Sequence, residues 1–152
     1  MVKTYKPAIE DLWFREELLS DEDTMAYNHR WGGAIEFPKK DWCDWYDYWL
    51  VNTDGKRNYW FLMNEDNEFI GEIAYHYDGK YNLADIIIHS KYRHRGYGRD
   101  GLNMLCSLAK QEGIEELYDD IAIDNPAIKL FLNNGFTEIY RTEDIIMLKK
   151  IL

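Results

Sequence analysis

The sequence predicts a mixed α/β fold built on a mostly antiparallel sheet, and three observations carry that expectation. Residues 57–78 are rich in aromatic and β-branched side chains on either side of a polar turn, the pattern of a β-hairpin. Residues 83–123 run strand, helix, strand, an order that implies a right-handed parallel crossover. Residues 136–142 and 144–152 then read as a closing antiparallel pair.

Taken in order, residues 8–19 carry Ile9, Leu12, Trp13 and Leu19 at helical spacing, and SDEDT breaks the run. AYNHRWGGAIEFP, with two adjacent glycines and mixed polarity, reads as a loop, and long loops of this kind often carry function. Pro38 to Val51 is expected as a second helix. Trp42, Trp45, Tyr46 and Trp49 recur there at i, i+3, i+4 and i+7, a stripe that belongs in a core. RNYWFLMNE and EFIGEIAYHYD form the hairpin, and LADIIIH is a third strand whose three isoleucines suit burial on both faces. Leu102, Leu105, Cys106 and Ala109 mark a helix that stops at Gly113. EELYDDIAI is the next strand. DNPAIKLFLNNGF follows as a short helix with Asp124 or Asn125 as its cap, Pro126 in its first turn and Gly135 beyond its end.

At 152 residues, 46% hydrophobic, the chain has the length of one domain, and residues 1–152 are read as one, with no internal repeat or linker. The longest apolar runs fall far short of the ~20 residues that cross a bilayer, and MVKTYKPAIEDLW lacks the apolar segment of a secretory leader. Cys43 and Cys106 have no motif spacing and read as packed, reduced thiols of a cytoplasmic protein. A net charge of -10 argues against a nucleic-acid binder, which needs a basic face. No membrane partner and no metal is expected, and a homodimer is left open.

Against that acidic balance, YRHRGYGRDGL places three arginines around three glycines where a strand hands over to a helix. Such a turn points unpaired backbone N–H groups at one small volume, and the helix N-terminus adds roughly half a positive charge. Gly96 and Gly98 let the backbone approach an anion, and Arg93, Arg95 and Arg99 ring it with charge. Chemistry alone therefore offers two readings, a phosphate cradle or a structural turn. Neither a G-x-x-x-x-G-K-[ST] loop nor an early dinucleotide-type G-x-G-x-x-G unit is present.

Arg93-His94-Arg95-Gly96-Tyr97-Gly98 resembles the R/Q-x-x-G-x-G/A signature of the GNAT superfamily of acyl-CoA-dependent N-acetyltransferases. The context is similar as well. A hydrophobic strand running into Ile88-His89-Ser90-Lys91-Tyr92 precedes the motif, and Asp124 to Phe136 resembles the family's N-x-x-A-I-x-L-Y-x-x-x-G-F element. The resemblance covers residues 68 to 150 and, before residue 57, rests on element order. It implies a sheet of six or seven strands, including a short first strand, flanked by helices on both faces, with a splayed central strand pair.

The same resemblance implies acetyl-CoA as co-substrate and a small-molecule amine as acceptor, with direct attack in a ternary complex. It assigns the CoA pyrophosphate to the turn, Arg93 and Arg95 through Arg99 with Gly96, Tyr97 and Gly98, and the pantetheine arm to the main chain of Ile86 and Ile88. Asp124 or Asn125 takes the place of the family's opening asparagine. Where the family carries a tyrosine that protonates the departing thiolate, this chain has Phe131, which cannot. A carboxylate must take a proton from the attacking amine, and Glu72 and Asp85 are the candidate bases, with His76 and His89 as competitors and solvent-facing strand residues or ion-pair partners as the alternative. Acidic balance and an aromatic N-terminal half suit a small cationic amine. Two other classes are a CoA-binding module without turnover and a protein-directed acetyltransferase that docks through the tryptophan helix.

Overall fold

The computed structural model describes residues 1–152, with the side chains of residues 29–31 outside that description. Seven strands form one sheet in the order β1-β2-β3-β4-β5-β7-β6. They are β1 (Lys3–Tyr5), β2 (Arg57–Met63), β3 (Phe69–Tyr77), β4 (Asn82–Ile88), β5 (Glu116–Ala122), β6 (Thr137–Arg141) and β7 (Ile145–Ile151). All neighbours are antiparallel except β4 and β5. These two are parallel, and among the described residues their ladder consists of Leu83 opposite Tyr118 alone. Beyond that pair the two strands part, so the expected central splay is present.

The expected helix over 8–19 is a 3₁₀ turn, Ile9–Leu12, running into α1 (Trp13–Ser20). The expected helix over 38–51 is likewise composite: a 3₁₀ turn at Lys39–Asp41, α2 (Trp42–Tyr46), and a π-turn at Asp47–Val51. Its tryptophans pack inward as the stripe required. Trp42 is buried, and Trp45, Tyr46 and Trp49 lie partly buried against the core, while Tyr48 and Val51 of the same segment are exposed. The segment expected as a loop carries a 3₁₀ stretch, Ala26–Trp31; the part of that reading that rests on residues 29–31 lies outside the described side chains.

α3 (Tyr97–Gln111) packs Leu102, Leu105, Cys106 and Ala109 onto the sheet and ends at Gly113, which takes the left-handed conformation at φ 85°. Gly101 is fixed by packing, because a Cβ there would stand 2.7 Å from Leu62 Cδ1. α4 (Ala127–Leu132) opens on Asn125, whose Oδ1 accepts from the Ala127 amide at 2.9 Å; Pro126 stands at the cap position, just ahead of the first turn. Cys106 is buried as expected, whereas Cys43 is exposed, since it falls on the outer side of α2. No helix among the described residues is long and apolar enough to cross a membrane.

Strand alternation divides the core between the two faces of the sheet. Ile73, Ala84, Ile88, Leu117, Ile121 and Leu148 face α3 and α4 in an aliphatic cluster that also holds Phe131. Tyr59, Phe61, Ala74, Phe14, Phe37 and Trp42 form an aromatic cluster with α1 and α2 on the other face.

Candidate active site

The parting of β4 and β5 opens a cleft of about 430 Å³. β4 contributes Ala84 to Ile87, β5 contributes Asp119 to Ala122, and Asn125, Ala127 and Phe131 close one end. Because it lies at a break in the sheet, the cleft is walled from both faces. Ile86 pairs with Ile73, and Asp119 pairs with Leu148, so both belong to the aliphatic side. Asp85 pairs with Ala74, and Glu72 lies opposite Phe61 and Ile87, which places both on the aromatic side. Asp120, next to Asp119, faces that way by alternation.

On the aromatic side the charges are tied together. Glu72 is 5% exposed, accepts a hydrogen bond from the Tyr59 hydroxyl, and has Arg15 Nε 3.4 Å from its Oε2. The Arg15 guanidinium lies between the rings of Phe37 and Trp45, at 4.6 and 4.3 Å from their centroids. Burial raises the Glu72 carboxyl, and the Arg15 charge and the Tyr59 hydrogen bond pull the other way. Asp85 is half-exposed and meets His76 Nδ1 at 3.1 Å, an interaction that raises the imidazole above its ordinary value. Burial first, and then the charges of Asp85 and Asp78, raise Asp120. Trp49, Tyr27, Asn28 and Ile35 complete this wall, so the segment read as a functional loop does reach the cleft. His89 stands apart, its Nδ1 accepting from the Lys91 amide at 3.3 Å.

The glycine turn sits at the far end of β4. The first hydrogen bond of α3 runs from the Asp100 amide to Gly96 O at 3.1 Å, so the amides of Tyr97, Gly98 and Arg99 precede the helical ladder. Gly96 holds φ 83° and His94 φ 64°, a left-handed pair of bends between β4 and α3. Gly98 has a packing reason of its own, since a Cβ would come within 3.2 Å of Leu130. Arg95 and Arg99 are exposed at the rim. Arg93 is not: its guanidinium donates to the carbonyls of Ile88, Asp23 and Thr24 at 3.2, 3.3 and 2.7 Å, so it braces the turn against the segment before the 3₁₀ stretch. From Leu83 to Ile88 the chain climbs roughly 17 Å at about 3.3 Å per residue. Along that climb the main chain of Ile86 and Ile88 has no ladder partner from β5. The open edge of β4 thus borders the cleft at Ile86 and runs on toward the glycine turn. Asp124 forms the exposed bend between β5 and α4.

Residues 10–136 match the acetyltransferase (GNAT) family. The chain belongs to that family of acetyltransferases. Its structure is similar to that of spermidine N-acetyltransferase from Vibrio cholerae in complex with CoA and spermine, with a TM-score of 0.83, 18% identity, and coverage of 99% of this chain and 95% of the other. It is also similar to PaiA N-acetyltransferase from Thermoplasma acidophilum in complex with coenzyme A, with a TM-score of 0.74, 17% identity, and coverage of 100% and 99%. Among curated proteins no sequence matches the chain.

Asp119 and Asp120 read from the sequence as strand residues, although two adjacent aspartates inside a mostly buried strand are a signal in themselves. Arg15 carried no signal, because its partners are fixed only by the fold.

Proposed function

We propose that this chain transfers an acetyl group from acetyl-CoA to a primary amine that carries positive charge, by direct attack within a ternary complex. The observation that carries this reading is the two-sided cleft. One wall is the open edge of β4, the strand that leads on to the glycine turn, and the other bears Glu72, Asp85 and Asp120 beside Trp49. The amides of Tyr97, Gly98 and Arg99, with Gly96 and the side chains of Arg95 and Arg99, hold the pyrophosphate, and Arg93 braces them. The main chain of Ile86 and Ile88 pairs with the arm, and Asn125, Asp124 and Phe131 border its end.

The acceptor approaches from the aromatic side, where the carboxylates and the Trp49 face attract a cation. Asp85, half-exposed and able to pass a proton to His76 or to water, takes the amine proton. Glu72, spent on Arg15 and Tyr59, positions that wall and reaches the amine through a water. Holding the two substrates together supplies up to ~7 to 11 kcal/mol of the barrier. Spermine bound to the similar spermidine N-acetyltransferase supports a polycationic acceptor here.

The test is thiol release from acetyl-CoA with matched mono-, di- and polyamines. Diamines and longer amines are expected to give the higher kcat/KM, and equal rates across the panel would overturn the charge-recognition part. Gly96→Val checks the cradle: a side chain is strained at φ 83°, and CoA affinity by calorimetry is expected to fall at least about tenfold.

A further inference from the structure

We propose that Asp119 is the proton donor to the departing thiolate, a catalytic residue on the cofactor-facing wall of the cleft. The inference rests on the acetyl-transfer reading above. When the amine nitrogen bonds to the carbonyl carbon, the C–S bond breaks and its electron pair passes to sulfur. A free thiol has a pKa near ~8.5, and an apolar site penalises its anion further, so a neighbouring acid lowers the barrier of this step.

The wall that faces the arm offers few protons. Ile86, Ile121, Ala127 and Phe131 have none to give, and the Asn125 side chain caps α4. Asp119 lies on this wall by its pairing with Leu148, one residue past the Leu83–Tyr118 vertex where β4 and β5 begin to part. The phosphates lie at the wide end of the cleft, by the α3 N-terminus, so an arm running down β4 brings its sulfur toward that vertex.

The surroundings keep the Asp119 proton in place. Burial is the first cause, followed by the negative charges of Asp85 across the gap and Asp120 beside it, and together they push the carboxyl well above the ordinary range. From α3, α4 and β7, Leu105, Phe131 and Leu148 pack on this side, and Cys106 stays a neutral thiol because burial raises it. On the far face are Glu72, held by Arg15, and His76, paired with Asp85.

The step balances. Asp119 Oδ–H passes its proton to sulfur and becomes a carboxylate, which recovers a proton from the water of the cleft. The proton shed by the new amide nitrogen leaves by the aromatic wall. Amine and thioester become amide and thiol, and the protein is unchanged.

Asp119→Asn, compared with the wild type, tests this with four readouts. Turnover with the best amine is expected to fall about a hundredfold, and the decline of kcat at high pH is expected to disappear with the titrating acid. CoA affinity by calorimetry should stay within about twofold. The melting temperature should rise at pH 7, because a half-buried carboxyl with a raised pKa opposes folding as pH climbs past its unfolded value. With CoA bound, the ultraviolet thiolate absorbance should show the thiol ionising about one pH unit lower, since no carboxylate opposes it. An unchanged kcat together with an unchanged thiol titration overturns the proposal, as does a rate loss accompanied by an equal loss of CoA affinity. A wild type that binds no CoA or turns over no amine overturns the acetyl-transfer reading instead, a failure visible before any substitution is made.

Discussion

The two faces of the sheet solve the same packing problem with opposite materials. Under α3 and α4 the core is mainly aliphatic, with Leu102, Leu105, Leu117 and Leu148 fully buried and rings such as Trp60 and Phe131 among them. Under α1 and α2 it is aromatic and encloses a charge network, Arg15 with Glu72 and the Tyr59 hydroxyl. Aliphatic packing fixes one geometry by volume alone and tolerates few polar atoms. A buried ion pair stabilises little in net terms, because desolvation offsets the attraction, yet it leaves polar atoms on the wall of a cavity. The aliphatic face therefore suits an arm bound by main-chain groups, and the aromatic face suits a varied, charged acceptor.

Breaking the network on one side should have the largest effect. Glu72→Ala leaves the Arg15 charge buried without its counter-ion, and a loss of ~3 to 5 kcal/mol is expected in denaturant unfolding. Replacing both partners, Arg15→Met with Glu72→Leu, should recover most of that loss and still leave turnover impaired. If the double variant is as unstable as Glu72→Ala, the network is more than an ion pair.

The aliphatic side sharpens the contrast from the other direction. Phe131 is 1% exposed and meets Phe136 edge-on at 4.9 Å, so Phe131→Tyr buries a hydroxyl among rings and is expected to cost ~1 to 3 kcal/mol. Turnover should change by less than about tenfold, since Asp119 already supplies the proton. A rise above that, at unchanged stability, would show that position 131 faces the sulfur directly.

The smallest effect belongs to the His76–Asp85 pair. The imidazole is raised in the folded state, chiefly by its hydrogen bond to Asp85, so the stabilisation is fully present below about pH 6.5 and lost as pH rises through the folded value. With side chains 31% and 50% exposed, solvent screening leaves only a few tenths of a kcal/mol. The stability difference between wild type and His76→Gln should be larger at pH 5.5 than at pH 8.5, read from melting curves.

These contrasts mark what the sequence could and could not convey. The strand and helix pattern was legible because hydrophobic period switches sharply, from 2 in RNYWFLM to 3.6 in α3, and the glycine turn stands between them. The 3₁₀ and π character around α1 and α2 was not, since apolar spacing is nearly the same for all three helix types. Arg93 looked like a phosphate ligand because its acceptors, the carbonyls of Asp23 and Thr24, are some 70 residues away in the chain. The partners of Glu72 were hidden for the same reason: Tyr59 and Arg15 meet it only once β2, β3 and α1 have assembled. Which face of β5 carries Asp119 follows from register with β7, a quantity that no local pattern encodes.

The lone Leu83–Tyr118 rung has a mechanical consequence. It makes the sheet two plates, β1 to β4 and β5 to β7, sharing one seam at a single point. Any molecule that lies along β4 and completes the missing rungs acts as a splint across that seam. Amide hydrogens of Ile86, Ile88 and Ala122, which alternate with those bonded to β3 and β7, should therefore exchange with solvent readily in the free protein and slow markedly once CoA is bound, as expected if the co-substrate lies along β4 like an added strand.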